Sequence, residues 1–355
     1  MNTKDYSDII KHLSEHKEEQ KLNSRVLIVD CLNQFLRLFT CSPLINENGI
    51  HVGGLVGTLY TIGIAIRMLK PTRVIVVFDG KGGSTRRRKL FPEYKENRRS
   101  KSIRAAKSVN YSSEEVDTMI AWQLKRLLDY LKTLPVTTVI VDNIEADDSI
   151  AYISKQLLTE SEIYIMSTDK DFLQLVDDRI KVWNPTNKMV ITPEKIIEKY
   201  QIAPENFIIG KMFNGDKGDN VPAFGGIGFK TVSKRFPMVL ERKRYDVKDI
   251  LKYAYLHKDD AEIYSKLSIP ENMKKLKLNY DLMQLQNVDI SGAAKMRLIS
   301  HVQKPPKPLV KIEFQKLMIK DSLNIFIKNP DLWLRETFSR LNMFAASEQK
   351  VTRNE

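Results

Sequence analysis

Residues 143–151 read "NIEADDSIA", directly after the apolar run "TTVIVD" at 137–142. Glu145, Asp147 and Asp148 stand where a strand hands over to a helix, and their reading decides the fold. One reading is local: Asn143 caps the helix, and acids in its first turn suit the positive end of the dipole. The other is a metal site at the carboxyl end of a sheet. The company these acids keep along the chain separates the two.

Working outward, "RVLIVD" (25–30) reads as a buried strand, "GGLVGTLYTIGIAIRML" as a helix and "RVIVVFD" (73–79) as a second strand. A helix around "EEVDTMIAWQLKRLLDYLKTL" precedes "TTVIVD", and the "EADDSIAYISKQLL" helix precedes a fourth strand, "EIYIMS", which runs into "TDKDFLQL". Strands joined by helical crossovers predict an α/β fold with a parallel sheet, whose ligands bind beyond the carboxyl ends of the strands. Asp30 ends the first strand and Asp79 the second. Glu145, Asp147 and Asp148 follow the third, and Asp169 and Asp171 the fourth. A single acid in such a place is an ordinary turn residue; four strand ends in succession form a constellation.

From "TPEKIIEKY" (192–200) the pattern turns helical, with glycine-rich turns at "GDKGDN", which adds Asp216 and Asp219, and at "FGGIGFK". "KPPKP" (304–308) reads as a stiff connector to further helices, and about the last ten residues read as a disordered tail.

A composition of 42% hydrophobic and 28% charged residues is that of a globular protein. Two cysteines, Cys31 and Cys41, exclude a disulfide framework or a zinc finger, so a cytoplasmic, reducing location is expected. With no apolar leader and no run of about 18 apolar residues, the chain is expected to be neither secreted nor membrane-bound.

The net charge of +13 points to a polyanion, and residues 81–107 hold eleven Lys or Arg against only Glu93 and Glu96. There Arg86, Arg87, Tyr94, Lys95, Arg98 and Arg99 combine stacking and phosphate-neutralising groups suited to single-stranded nucleic acid. The acids are hard oxygen donors, which favour Mg²⁺ or Mn²⁺ over zinc. Two such ions roughly 4 Å apart can activate water and stabilise the leaving oxygen of a phosphodiester. The glycines of "FGGIGFKTVSKRF" (224–236), opening a helix, could hold a phosphate.

In order and spacing, "VLIVD", "VVFDG", "FPEYKENR", "EADDSIAYI", "STDKDFLQL" and "GDKGDNVPAFGGIGFKT" resemble the flap endonuclease-like 5′ nucleases, including phage replication nucleases of the ribonuclease H type. That resemblance implies a PIN-like twisted parallel sheet flanked by helices, a helical arch and a mostly α-helical, DNA-binding C-terminal region. It divides the chain into an extension (1–24), a PIN-like domain (25–192, arch about 81–115), a helix-three-turn-helix region (193–300) and C-terminal helices with a tail (301–355).

It further implies two Mg²⁺ ions, replaceable by Mn²⁺: Asp30, Asp79, Glu145 and Asp147 around the first, and Asp148, Asp169, Asp171, Asp216 and Asp219 around the second. Lys95 and Arg98 correspond to arch residues at the scissile phosphate, and Gly226, Gly228, Lys230 and Thr231 to the duplex-binding hairpin, where relatives can hold K⁺. Ala223, Phe224 and Val232 depart from the common pattern there. The implied activity is structure-specific 5′-3′ hydrolysis of flaps, nicked duplex and RNA primers in phage replication, by a monomer that meets branched DNA, RNA/DNA hybrid and a single-strand-binding protein or clamp. The rival readings are a PIN-type single-strand ribonuclease and a non-catalytic replisome scaffold.

Overall fold

The computed structural model describes residues 21–96 and 112–354. Six strands form one sheet in the order β3-β2-β1-β4-β5-β6: β1 (Arg25–Asp30), β2 (Arg73–Asp79), β3 (Thr137–Val141), β4 (Glu162–Met166), β5 (Ile180–Asn184) and β6 (Met189–Ile191). The first five pair in parallel, and β6 runs antiparallel to β5. The two outer strands are absent from the sequence reading: β5 sets Lys181 and Asn184 among its apolar residues, and β6 has only three residues. Their turn is closed locally, where Asn184 Oδ1 accepts from the Thr186 amide at 2.9 Å.

β1 and β2 are buried on both faces, as parallel strands under helical layers must be. Leu27, Val29, Val74 and Val76 point to one face, and Val26, Ile28, Ile75 and Val77 to the other. On the first face lie α1 (Cys31–Cys41) and α2 (Gly53–Leu69). A short helix, α3 (Thr85–Leu90), leaves the carboxyl end of β2, and α4 (Ser113–Thr133) returns to the first face. At Gly80, on the way to α3, any Cβ would stand 1.9 Å from the Val141 carbonyl oxygen, so the "FDG" glycine permits a close backbone crossing.

The second face carries α5 (Ala146–Tyr152), which continues as a π-helical turn over Ile153–Leu157. After the sheet come α6 (Pro193–Tyr200), α7 (Phe207–Asn214), α8 (Phe229–Arg235), α9 (Val247–Leu256), α10 (Glu262–Leu267) and α11 (Pro270–Met283). Helices α7 to α11 enclose their own apolar core, and Phe91 and Tyr94, from the basic segment, pack into it. α12 (Gly292–Gln303) lies on the second face of the sheet. α13 (Lys311–Lys320) and α14 (Pro330–Asn354) close over the first, burying Phe314, Leu334 and Phe338. The helix of α14 thus covers most of the segment expected as a disordered tail. Among the described residues no helix is long and apolar enough to cross a membrane.

Candidate active site

Each strand end delivers its acid to one place. Asp30, Asp79, Asp147, Asp169 and Asp219 line a single cleft of about 210 Å³, with Lys95 on its wall. The elements that carry them explain the convergence. Asp30 and Asp79 are the last residues of neighbouring strands. Asp147 lies in the first turn of α5, and Asp169 precedes the 3₁₀ turn Lys170–Leu175. Asp219 comes from the loop after α7, so the helical region completes the ring.

Local hydrogen bonds hold these carboxylates in place. Asp79 Oδ1 accepts from the Ala146 amide at 3.0 Å, and so caps α5 from the adjacent strand. Asn143, expected to cap that helix, does not: it sits at φ 66°, and the N-cap position belongs to Glu145. Ser167 Oγ donates to Asp30 Oδ2 at 2.9 Å and accepts from the Asp169 amide at 3.0 Å, which ties two strand ends together. Asp169 Oδ1 accepts from the Asp171 amide at 2.9 Å.

The other four predicted acids are taken up by internal cations. Arg87 is 2% exposed and grips Asp148 with both terminal nitrogens, at 2.8 and 2.9 Å, while also pairing with Glu145. Its Nε donates to the Leu282 carbonyl at 2.8 Å, which ties α3 and α5 to α11. Lys95 Nζ pairs with Glu145 and lies 4.0 Å from Asp219. Lys211, buried in α7, bridges Asp171 at 2.6 Å and Asp216 at 2.7 Å.

Electrostatics follow from this layout. Burial, with Asp169, Asp79 and Asp147 nearby, pushes the Asp30 carboxyl up to about 8. Burial and Asp169 push Asp171 up to about 7 despite Lys211. Burial also raises Glu145, Asp148 and Asp169. Asp216 goes the other way, because Lys211 outweighs its burial. Arg87 is held more firmly protonated, its burial outweighed by Asp147, Asp148 and Glu145.

Carboxylates crowded into one cleft and pushed toward protonation suit hard divalent cations, whose charge relieves the repulsion. Oxygens of Glu145, Asp147 and Asp148 also come within 4.8 Å of one another. Arg87 stands beside all three, and Asp147 belongs both to this group and to the cleft of Asp30, Asp79, Asp169 and Asp219.

Two members of the basic segment differ from expectation. Arg87 faces inward to carboxylates rather than outward to phosphate. Tyr94, expected as a stacking surface, is 2% exposed and donates its hydroxyl to Asp219 Oδ2 at 3.0 Å. Arg86 Nη2 lies 3.5 Å from Asp148 Oδ1. Arg98 and Arg99 fall outside the described residues. The hairpin residues Gly226, Lys230 and Thr231 are exposed, and Gly228 caps α8. At Gly226 it is the backbone, at φ 71°, that calls for glycine, and not crowding: nothing lies within 4 Å of its missing Cβ.

Sequence reasoning missed the internal cations. Lys211 stands five residues before Asp216, in the last turn of α7, and only the fold shows that it faces Asp171. Arg87 is one of three consecutive arginines, and the sequence does not say which of them is the one buried against α5.

The family described as "5′-3′ exonuclease, N-terminal resolvase-like domain" matches residues 25–201. A 5′-3′ exonuclease of Buchnera aphidicola subsp. Acyrthosiphon pisum is 34% identical over 211 residues, 59% of this chain and 68% of its own length. Flap endonuclease Xni of Shewanella sediminis is 31% identical over 265 residues, 73% of this chain and 91% of its own. Among solved structures, a bacteriophage T5 flap endonuclease bound to DNA and metal ions superposes with a TM-score of 0.60 at 22% identity, over 84% of this chain and 99% of that one. That likeness establishes the PIN-like fold. The chain belongs to the 5′-3′ exonuclease family, which includes the flap endonucleases.

Proposed function

We propose that this protein is a divalent-metal-dependent, structure-specific 5′ nuclease that hydrolyses phosphodiester bonds in flaps, nicked duplex and RNA primers. The observation that carries the reading is the cleft in which Asp30, Asp79, Asp147, Asp169 and Asp219 converge beside Lys95. These acids would hold Mg²⁺, or Mn²⁺ in its place. Bound there, the ions would supply Lewis-acid activation of water and neutralise charge at the phosphate.

The chain's own residues do the rest. Ser167 and the Ala146 amide fix the Asp30 and Asp79 carboxylates. Lys95, on the cleft wall, would neutralise charge developing on the phosphate. Arg87 balances Glu145 and Asp148, so that their charge does not add to that of the cleft. The exposed hairpin with Lys230 and Thr231 is suited to grip duplex through backbone phosphates. The family relationship supports branched or nicked DNA as substrate.

The test is cleavage of labelled 5′-flap DNA, RNA-primed duplex and single-stranded RNA, with Mg²⁺ or EDTA. Metal-dependent cutting of flap and primer supports the proposal. Preference for single-stranded RNA would favour a PIN-type ribonuclease, and tight binding without cutting a scaffold.

A further inference from the structure

The turn that carries Lys95 is held from the helical region. The Lys95 amide donates to the Asp219 carbonyl at 3.0 Å, and Asn220 Nδ2 donates to the Glu93 carbonyl, also at 3.0 Å. Two consecutive residues of the 216–221 loop thus clamp residues 93–95 from both ends. Between those bonds the Tyr94 ring is buried in the core of the helical region, with its hydroxyl on Asp219.

Lys95 has φ 60° and Asn220 has φ 62°. For lysine the left-handed region is strained, so it persists only where neighbours over-determine it. Asparagine enters that region readily. Its amide is also the donor that reaches Glu93. Asn220 therefore does two things at once: it makes the tight loop possible and closes the clamp.

The consequence is directional. With residues 93–95 in this conformation the Lys95 side chain points at Glu145 and lines the cleft. The same loop sends the Asp219 carboxylate into that cleft, so one segment sets the relative placement of an acid and an ammonium group.

We infer that Asn220 is a positioning residue for cleavage, acting through Lys95 by holding the 93–95 turn with its side-chain amide. This rests on the nuclease reading and on a role for Lys95 in it. Asn220 itself does not line the cleft; it holds the turn that does, and its effect is on aim. Small misplacements of a catalytic group carry large rate costs.

The experiment uses the full chain, 5′-flap DNA and saturating Mg²⁺ under single-turnover conditions, with DNA affinity measured separately in Ca²⁺. Asn220→Gly keeps the left-handed backbone and removes the donor. Asn220→Asp keeps size and backbone tolerance and turns an acceptor toward the Glu93 carbonyl. Each is expected to slow cleavage about tenfold while changing DNA affinity less than about twofold. Combined with Lys95→Ala, either should change the remaining rate less than about twofold, because residues acting as a unit are non-additive.

Rate losses that multiply in the double variants, a loss seen only in affinity, or parental rates in both single variants would overturn the inference. Unaltered cleavage by Lys95→Ala alone would instead sink the role of Lys95. Absence of metal-dependent cleavage by the parent would sink the nuclease reading.

Discussion

Arg73 and Arg87 are buried to nearly the same degree, 1% and 2% exposed, at opposite ends of one parallel sheet, yet they keep different company. Among the described residues Arg73, at the amino end of β2, gives its guanidinium to neutral oxygens: the Val302 carbonyl at 2.7 Å, the Lys304 carbonyl at 2.8 Å and Thr137 Oγ1 at 3.0 Å. Those bonds fasten the end of α12 to the sheet. Arg87, beyond the carboxyl end of β2, is surrounded by carboxylates.

The acids show the same contrast. Glu162, at the amino end, is drawn down to about 2: its burial is overcome by Tyr164, Lys181 and Arg25. Asp30, at the carboxyl end, is pushed up to about 8. One end of the sheet satisfies its charges and serves the fold; the other concentrates acids against their own repulsion, an arrangement suited to a cationic ligand.

The sharpest break in the comparison is catalytic. Asp147→Asn should lower metal-dependent flap cleavage by about a thousandfold or more, as removal of Mg²⁺ with EDTA should. The folded state should be hardly affected, since relief of like-charge crowding on Asp30 and Glu145 offsets loss of the 3.8 Å pair with Arg87, which keeps Glu145 and Asp148. Rates on labelled flap DNA and thermal melting in EDTA check both halves. An undiminished rate would remove Asp147 from the site.

Next comes the buried guanidinium. Arg87→Ala leaves Glu145 and Asp148 uncompensated and should destabilise the protein by about 3–5 kcal/mol. Arg25→Ala, removing a half-exposed partner of Glu162, should cost about 1 kcal/mol or less. Urea unfolding of the two variants side by side measures the gap. Equal losses would mean that the two ends do not differ in the way their charges imply.

Much of this contrast was legible in the sequence, and the part that was not has physical causes. β1 to β4 could be read because each is a mostly apolar run with an acid at or shortly beyond its carboxyl end, the mark of buried parallel strands over a site. β5, with Lys181 and Asn184 among its apolar residues, and β6, with only three residues, offered no comparable run. The basic run was read as one outward-facing cationic surface, whereas Arg87 and Tyr94 turn inward. Composition counts charges but does not say which face of α3 meets α5. Glu145 and Asp148 were read only as metal ligands; that they also pair with Arg87, 61 residues before Asp148, becomes visible only when the chain is folded.

A smaller effect concerns pH. The folded-state values of about 8 for Asp30 and about 7 for Asp171 lie above the ordinary carboxylate range, so the native state binds more protons than the unfolded chain from about pH 4 to 8. Stability of the metal-free protein should therefore fall as pH rises through that window, with Tm lower by roughly 5 °C at pH 8 than at pH 6. Saturating Mg²⁺ should remove the drop. Asp30→Asn should lessen it and leave the share of Asp171; a drop unchanged in that variant would remove Asp30 as a cause.

At the amino end the sign reverses and the size shrinks. The Glu162 value of about 2 lies below the ordinary value of 4.5, so its contribution is fully present above pH 4.5 and is lost as pH falls toward 2. Its side chain is 29% exposed, and solvent screens the pairs with Arg25 and Lys181. Glu162→Gln should therefore cost no more than about 1 kcal/mol at neutral pH, the deficit narrowing as both proteins are acidified through the 4.5 to 2 window. High salt should narrow it too, because an exposed ion pair is screened within about 10 Å at 0.1 M. A loss as large as that of Arg87→Ala, insensitive to salt and acid, would show that the amino-end network is buried in effect and that the two ends are closer in kind than their titration suggests.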